Sequence, residues 1–224
     1  MKIISWNLLR LTGATLSDVV SLVEREQPDL LLMQEATRVM DSLAEVVGGH
    51  YVRHPLPGNI HEHGLATWSR LPARAEPTAF PLPRGVLIRR VCQIVDLGDF
   101  AIANVHLSHG QVLNRRQLHR IGQTLPAHAA VIGDFNLVGP ALFRGFRDVG
   151  PRQPTHRAGN MVPLRLDRCL VRGLDCTEAA TLDAKPSDHH PIVVRLCRVG
   201  GPLQAEEVRI LVEPGDVAVE VKTG

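Results

Sequence analysis

Aromatic residues are scarce in this chain. Five Phe, two Trp and one Tyr among 224 residues supply little for stacking on extruded or single-stranded bases. Lysine is nearly missing too, so the positive charge is carried almost wholly by arginine. Arginine's planar fork binds phosphate in a bidentate way, but genome composition produces the same bias, and one sequence does not separate the two causes. No stretch reaches the roughly 18 consecutive apolar residues of a membrane span. The N-terminus enters a strand with no basic segment, apolar leader or small-residue cleavage site, so the protein is expected to stay where it is made. Cys92, Cys169, Cys176 and Cys197 form no CxxC pair, and three of them lie in apolar strand patterns where a thiol acts as a small core residue. A disulfide framework and a structural zinc site are thereby disfavoured, and reduced thiols fit a cytoplasmic location.

What the chain does have is a series of apolar strands that end in polar groups. Val131-Ile132-Gly133-Asp134-Phe135-Asn136 runs into a glycine turn and releases an acid and an amide two residues apart. Pro186-Ser187-Asp188-His189-His190-Pro191 sets an acid and two imidazoles before an apolar run. Lys2-Ile3-Ile4-Ser5-Trp6-Asn7 ends in an amide, and the continuous apolar run Leu30-Leu31-Leu32-Met33-Gln34-Glu35 ends in a carboxylate. The strand over residues 100–107 ends near His106, and another over 165–171 carries Asp167 at its start. Polar groups gathered at the ends of buried strands cost stability and serve chemistry. Asp, Asn and His together suit a hard divalent cation and a phosphate. Taken singly, each has a plainer reading: Asn7 as a turn former, Glu35 as a helix N-terminal acid, Asp134 and Asn136 as an Asx turn.

Between these strands, Thr15 and Asp18 form a capping box for a helix that ends before Pro28. A second helix is expected over residues 38–47 and a third over 113–125, the latter burying Leu118, Ile121 and Leu125 and exposing Arg115 and Arg116. Residues 65–70, 73–80, 86–97, 100–105, 177–182 and 192–196 read as strands, and 138–163 as an irregular Pro/Arg/Gly segment. So many strands exceed a simple doubly wound sheet and favour an α/β protein of two packed sheets with helices outside. With 44% hydrophobic residues and polar strand ends spread from Asn7 to His189, one catalytic domain over residues 1–198 is expected. Residues 199–224 then form a tail, acidic in balance, with a hairpin of strands 208–212 and 217–221.

In order, the chain shows SWN, QE, GLATWSR, NVHLSHG, GDFN, RLDRCLV and SDHHP. This series resembles the endonuclease/exonuclease/phosphatase superfamily, and the resemblance covers residues 1 to about 196. It implies a four-layer α/β/β/α sandwich of two mixed sheets that hydrolyses a phosphoester with Mg²⁺ or Mn²⁺. Carried over position by position, it implies that Glu35 binds the metal with Asn7, and that Asp188 contributes to a metal position or braces the site. Asp134 would deprotonate the attacking water and Asn136 hold it or a phosphate oxygen. His189, oriented by Asp167, would face the phosphate, and His106 would donate to a non-bridging oxygen. His61, His63, His109, His156 and His190 are left as surface or supporting residues.

Two departures bear on substrate. Abasic-site endonucleases usually place an acid where this chain has Leu9, and a tyrosine where it has His106, so that branch is disfavoured. The expected function is an endonuclease-like phosphodiesterase on DNA, with Arg84, Arg115 and Arg116, beside Arg89 and Arg90, tracking the phosphate backbone. The alternatives are a small-molecule or phospholipid-headgroup phosphoesterase on the same fold, or an inactive copy kept as a binding module. The oligomeric state is open.

Overall fold

The computed structural model describes residues 1–10, 12–56, 63–85, 89–158, 162–183 and 186–200. The expected hairpin over 208–221 and His61 lie outside the described residues. In chain order the elements are β1 (Lys2–Asn7), α1 (Leu16–Glu26), β2 (Leu30–Ala36), a 3-10 turn (Arg38–Ser42), α2 (Leu43–Val47), β3 (His50–Pro55), β4 (Gly64–Ser69) and β5 (Thr78–Pro81). There follow β6 (Val91–Asp96), β7 (Ala101–His106), α3 (Gln111–Thr124), β8 (Ala129–Asp134), β9 (Arg147–Asp148), β10 (His156–Ala158), β11 (Val162–Leu164), β12 (Asp167–Arg172), β13 (Leu174–Thr181) and β14 (Ile192–Arg198).

Two six-stranded mixed sheets face each other, one ordered β13-β14-β1-β2-β4-β3 and the other β5-β6-β7-β8-β12-β9. The period-2 alternation of side chains sends one set of residues between the sheets and the other set outward. Ile3, Leu30, Leu32, Ile102, Ile132, Val171, Ile192 and Val194 fill the space between them. Their neighbours Ile4, Trp6, Leu31 and Met33 point outward beneath Val19, Leu22 and Val23 of α1 and Leu43 of α2. On the far side, Ala103, Val105 and Val131 lie under Leu118 and Ile121 of α3. Strands covered on both faces explain the unbroken apolar runs in the sequence. The result is the expected order of layers: helix, sheet, sheet, helix.

Differences from the sequence reading have local causes. The helix expected over 38–47 is a 3-10 turn followed by one short α-turn. Asp41 is drawn sideways into a two-pronged bond with Arg53 of β3 at 2.7 and 2.8 Å, and the β-branched Val39, Val46 and Val47 add little helix propensity. The strand expected over 73–80 shrinks to Thr78–Pro81, because Pro72 and Pro77 cannot donate to a ladder. The segment over 138–163 is not wholly irregular: it contributes β9 and the two-stranded ribbon β10-β11.

Parallel pairing sets the geometry of one end of the sandwich. β1 runs parallel to β2 and β7 parallel to β8, so their C-terminal ends lie together; β14 and β12 run antiparallel to them and bring their N-terminal ends there. Asn7 is opposite Gln34, and Asp134 is opposite both His106 and Asp167. Behind these residues, buried amides tie the sheets together. Gln34 donates to Ser5 Oγ at 3.1 Å and to Asn104 Oδ1 at 2.8 Å, and Asn104 donates to Gln93 Oε1 and to the carbonyls of Ala66 and Met33. Polar groups so deeply buried are stable only when paired, so this network fixes one register between the sheets.

Candidate active site

Asp134 is the hub of the constellation at that end. It is 1% exposed, and its Oδ2 accepts from Asn7 Nδ2 at 3.0 Å and Asn136 Nδ2 at 3.3 Å, with His106 Nε2 also at 3.3 Å. Its Oδ1 accepts the Asn136 backbone N–H at 2.8 Å. This last bond is the Asx turn, with Asn136 in the left-handed region at φ 48°. The turn and the site therefore use the same residues. Gly133 is required just before: a Cβ there would meet the Val105 carbonyl oxygen at 2.0 Å. Burial, and then the charge of Asp167, raise the proton affinity of Asp134 against the pull of His189, Asn136 and Asn7.

His189 lies across from it. Nδ1 is 2.8 Å from Asp167 Oδ2, and Nε2 is 3.8 Å from Asp134 Oδ2. Burial works against a charge on this ring, but the Asp167 carboxylate, followed by Asp134 and Asp188, overcomes it and the pKa is pushed up to about 9. The other imidazole, His106, has the opposite character. Burial, then the nearby positive groups Arg90 and His189, hold its pKa well below the ordinary value, which favours the neutral ring. The loop carrying His189 is pinned to the end of β1: Trp6 Nε1 donates to the His189 carbonyl at 3.0 Å, and Ser187 Oγ donates to the Asn7 carbonyl at 2.7 Å.

Glu35 reaches the same end by a backbone irregularity. The pairing of β2 with β4 shifts register between Met33 and Ala36, and Glu35 sits in the left-handed region at φ 55°. Its Oε2 accepts the Arg10 N–H at 3.2 Å, and Oε1 lies 4.0 Å from His106 Nδ1. Among the described residues no lysine or arginine side chain pairs with it, and its histidine neighbour is neutral. A half-buried carboxylate with no lysine or arginine ion pair among the described residues, at the same end of the sandwich as the Asn7 carboxamide, is a donor set that fits a hard divalent cation.

The remaining expected residues are distributed as follows. Asp188 Oδ2 is 3.2 Å from His156 Nε2, and Asp188 groups with His156 and His189. Arg84, Arg89, Arg115 and Arg116 are exposed. Arg90, by contrast, is only 5% exposed; its Nε has no partner, and its charge is felt by Asp134, Glu35 and His106. Three further residues belong to this region, none of them assigned to the site by the sequence. His63 is buried and lies 2.8 Å from Arg10 Nη1; Thr155 is fully buried; His156 packs on His189. A signal existed only for His63, an imidazole just before the apolar strand β4. Thr155 and His156 fall in a segment without periodicity.

The chain matches the model of the Endonuclease/Exonuclease/phosphatase family over residues 4–189. It is 26% identical over 225 residues to a UPF0294 protein of Erwinia tasmaniensis, covering 87% of this chain and 80% of the relative. Among solved structures, an endonuclease/exonuclease/phosphatase from Beutenbergia cavernae superposes with a TM-score of 0.73 at 19% identity, over 90% of this chain and 72% of that one. A mannosyl-6-phosphatase from Bacteroides thetaiotaomicron gives 0.68 at 16% identity, over 88% of this chain and 99% of that one. At such identities the structural likeness speaks for the fold, while the family match spans most of the chain and includes the strand ends described above. The chain belongs to the endonuclease/exonuclease/phosphatase family, whose members are hydrolases acting on phosphoester bonds.

Proposed function

We propose that this chain is a Mg²⁺- or Mn²⁺-assisted phosphodiesterase whose substrate is DNA. The observation that carries the reading is the single carboxylate of Asp134 between a charged His189 and a neutral His106. A phosphodiester is anionic and repels a nucleophile, so a site must neutralise charge before water can attack. His189, held by Asp167, presents an imidazolium to a non-bridging oxygen. His106, whose Nε2 lies 3.3 Å from Asp134 Oδ2 in the free site, would turn its single N–H to another when the phosphate enters. Asp134, with its raised proton affinity, accepts the proton of the attacking water, and Asn136 and Asn7 fix its orientation. Glu35 and Asn7 would hold the divalent ion, with Asp188 bracing the His189 loop. When bound, the ion supplies Lewis-acid polarisation of the phosphoryl oxygen and lowers the pKa of water.

Two features support DNA. Arg90 is a buried guanidinium among carboxylates and imidazoles with no ion pair among the described residues, which suits an entering phosphate. Arg84, Arg89, Arg115 and Arg116 are exposed and likewise form no ion pair among the described residues, as a surface that tracks a phosphate backbone requires. The scarcity of aromatic side chains favours a paired duplex over single strands. The test is a panel with Mg²⁺ or Mn²⁺: supercoiled plasmid, an abasic oligonucleotide, bis-p-nitrophenyl phosphate, sphingomyelin and inositol phosphates. Nicking of plasmid well above turnover of the small esters is expected. Preference for a small phosphomonoester or a lipid headgroup would replace DNA with that substrate, and no turnover of any ester would leave the binding-module reading.

A further inference from the structure

Two histidine–carboxylate pairs stand side by side at the end of the sandwich. One is His189 with Asp167 at 2.8 Å; the other is His156 with Asp188 at 3.2 Å. The rings of His156 and His189 meet edge to face, with centroids 4.5 Å apart and planes inclined by 60°. His156 is carried by β10, and its backbone is woven into both segments that bear the catalytic pair. The residue before it, Thr155, accepts the N–H groups of Leu166 and Asp167 on its hydroxyl at 3.0 and 2.9 Å. His190 N donates to the Thr155 carbonyl at 2.7 Å, and Arg157 N donates to the Asp188 carbonyl at 3.0 Å. The ribbon is thus a joint between the Asp167 strand and the Asp188–His189 loop.

We propose that His156 is a positioning residue of the active site through its ring, which covers His189 and is itself held in place by the contact of its Nε2 with Asp188 at 3.2 Å. The proposal deepens the hydrolase reading and rests on it for the consequence in turnover. His189 is 5% exposed, and the His156 ring packed on it supplies part of that cover. An imidazole confined on one side by Asp167 and on the other by a ring has one orientation left, which is what transfer through its free nitrogen needs. His156 offers no nitrogen of its own to a substrate: Nε2 is turned to Asp188 and Nδ1 is buried without a partner.

The test is made first on metal-free protein without substrate. The His189 Nδ1–H donated to Asp167 should give a slowly exchanging downfield proton signal, assigned by its disappearance in His189→Asn. His156→Ala should speed its exchange with water by roughly tenfold or more while the unfolding midpoint still shows a folded protein. His156→Phe, which restores a ring but no donor, should recover slow exchange; His156→Gln, which restores a donor to Asp188 but no ring, should not. In turnover, His156→Ala should lower kcat by about tenfold with KM changed less than about twofold. Unchanged exchange in His156→Ala, or recovery by Gln where Phe fails, overturns the proposal. If His156→Ala does not fold, the contrast between Phe and Gln decides alone. Altered exchange in a protein that turns over no ester would instead leave the positioning role and remove the hydrolase reading.

Discussion

Asp134, His189 and His106 show how one carboxylate and the two imidazoles within 4 Å of it acquire three different proton affinities. The distinction predicts a pH profile. His189 has a pKa raised to about 9, above the ordinary histidine value of 6.5, so its folded-state interactions stabilise the protein fully below pH 6.5 and are lost as pH rises through 9. Activity that needs the imidazolium should fall over the same upper limb. Asp167→Asn should move that limb toward lower pH, as a rate profile and an unfolding titration would both show; an unmoved limb would mean that another group sets it. Glu35→Gln preserves size but removes the charge that faces the cation, so turnover should fall by a factor on the order of a hundred or more with the fold retained. Isothermal titration of Mn²⁺ into the variant checks the cause, and undiminished binding would exclude Glu35 as a ligand. At this scale the sequence was readable because strand-end acids, amides and imidazoles announce themselves by residue type. His156 and Thr155 did not, since their role depends on contacts with residues that follow Leu164 and Pro186.

The elements place those side chains through buried polar latches. α3 turns Asn114 and Gln117, both fully buried, toward the site end. Asn114 Nδ2 donates to the Phe135 carbonyl at 2.6 Å, between Asp134 and Asn136. Gln117 accepts the Ser108 N–H at 2.9 Å and donates to the Pro83 carbonyl at 2.9 Å, joining the loop after His106 to the segment that carries Arg84. Gln117→Leu would leave the buried Ser108 N–H without its partner, at a cost of about 1–3 kcal/mol, and free the part-buried Pro83 carbonyl to water. Chemical denaturation should record a loss of that order, and amide exchange at Ser108 should quicken. Protection unchanged at Ser108 would show that the latch does not hold the loop. The apolar face of α3 was legible from its spacing; the polar residues on that face were not, because Asn and Gln in a helix ordinarily read as solvent-facing. The short turn at Arg38–Ser42 escaped for a related reason, since Arg53 that captures Asp41 comes from another strand.

Over the whole molecule, two sheets were legible from strand number and from unbroken apolar runs, but strand order was not. Order depends on which runs pair, and periodicity is silent about pairing. The amide network from Gln34 through Asn104 to Gln93 supplies part of that missing specification, since its donors and acceptors meet in one arrangement of the sheets. The surface gives a prediction at this scale. If DNA is the substrate, KM should rise steeply with salt as phosphate contacts release counterions, and Arg115→Ala with Arg116→Ala should flatten the slope by about two in log–log terms. A KM indifferent to salt would point to a small ester.

The left-handed backbone at Glu35 sets the site against the rest of the molecule. A non-glycine residue held there carries a conformational cost of about 1 kcal/mol or more, and its half-buried carboxylate forms no lysine or arginine ion pair among the described residues. Glu35→Gly removes both burdens, so it should raise the unfolding midpoint while ending turnover. A library of this chain screened for heat tolerance alone would therefore enrich molecules that have given up their chemistry, and position 35 is where that drift should first be read.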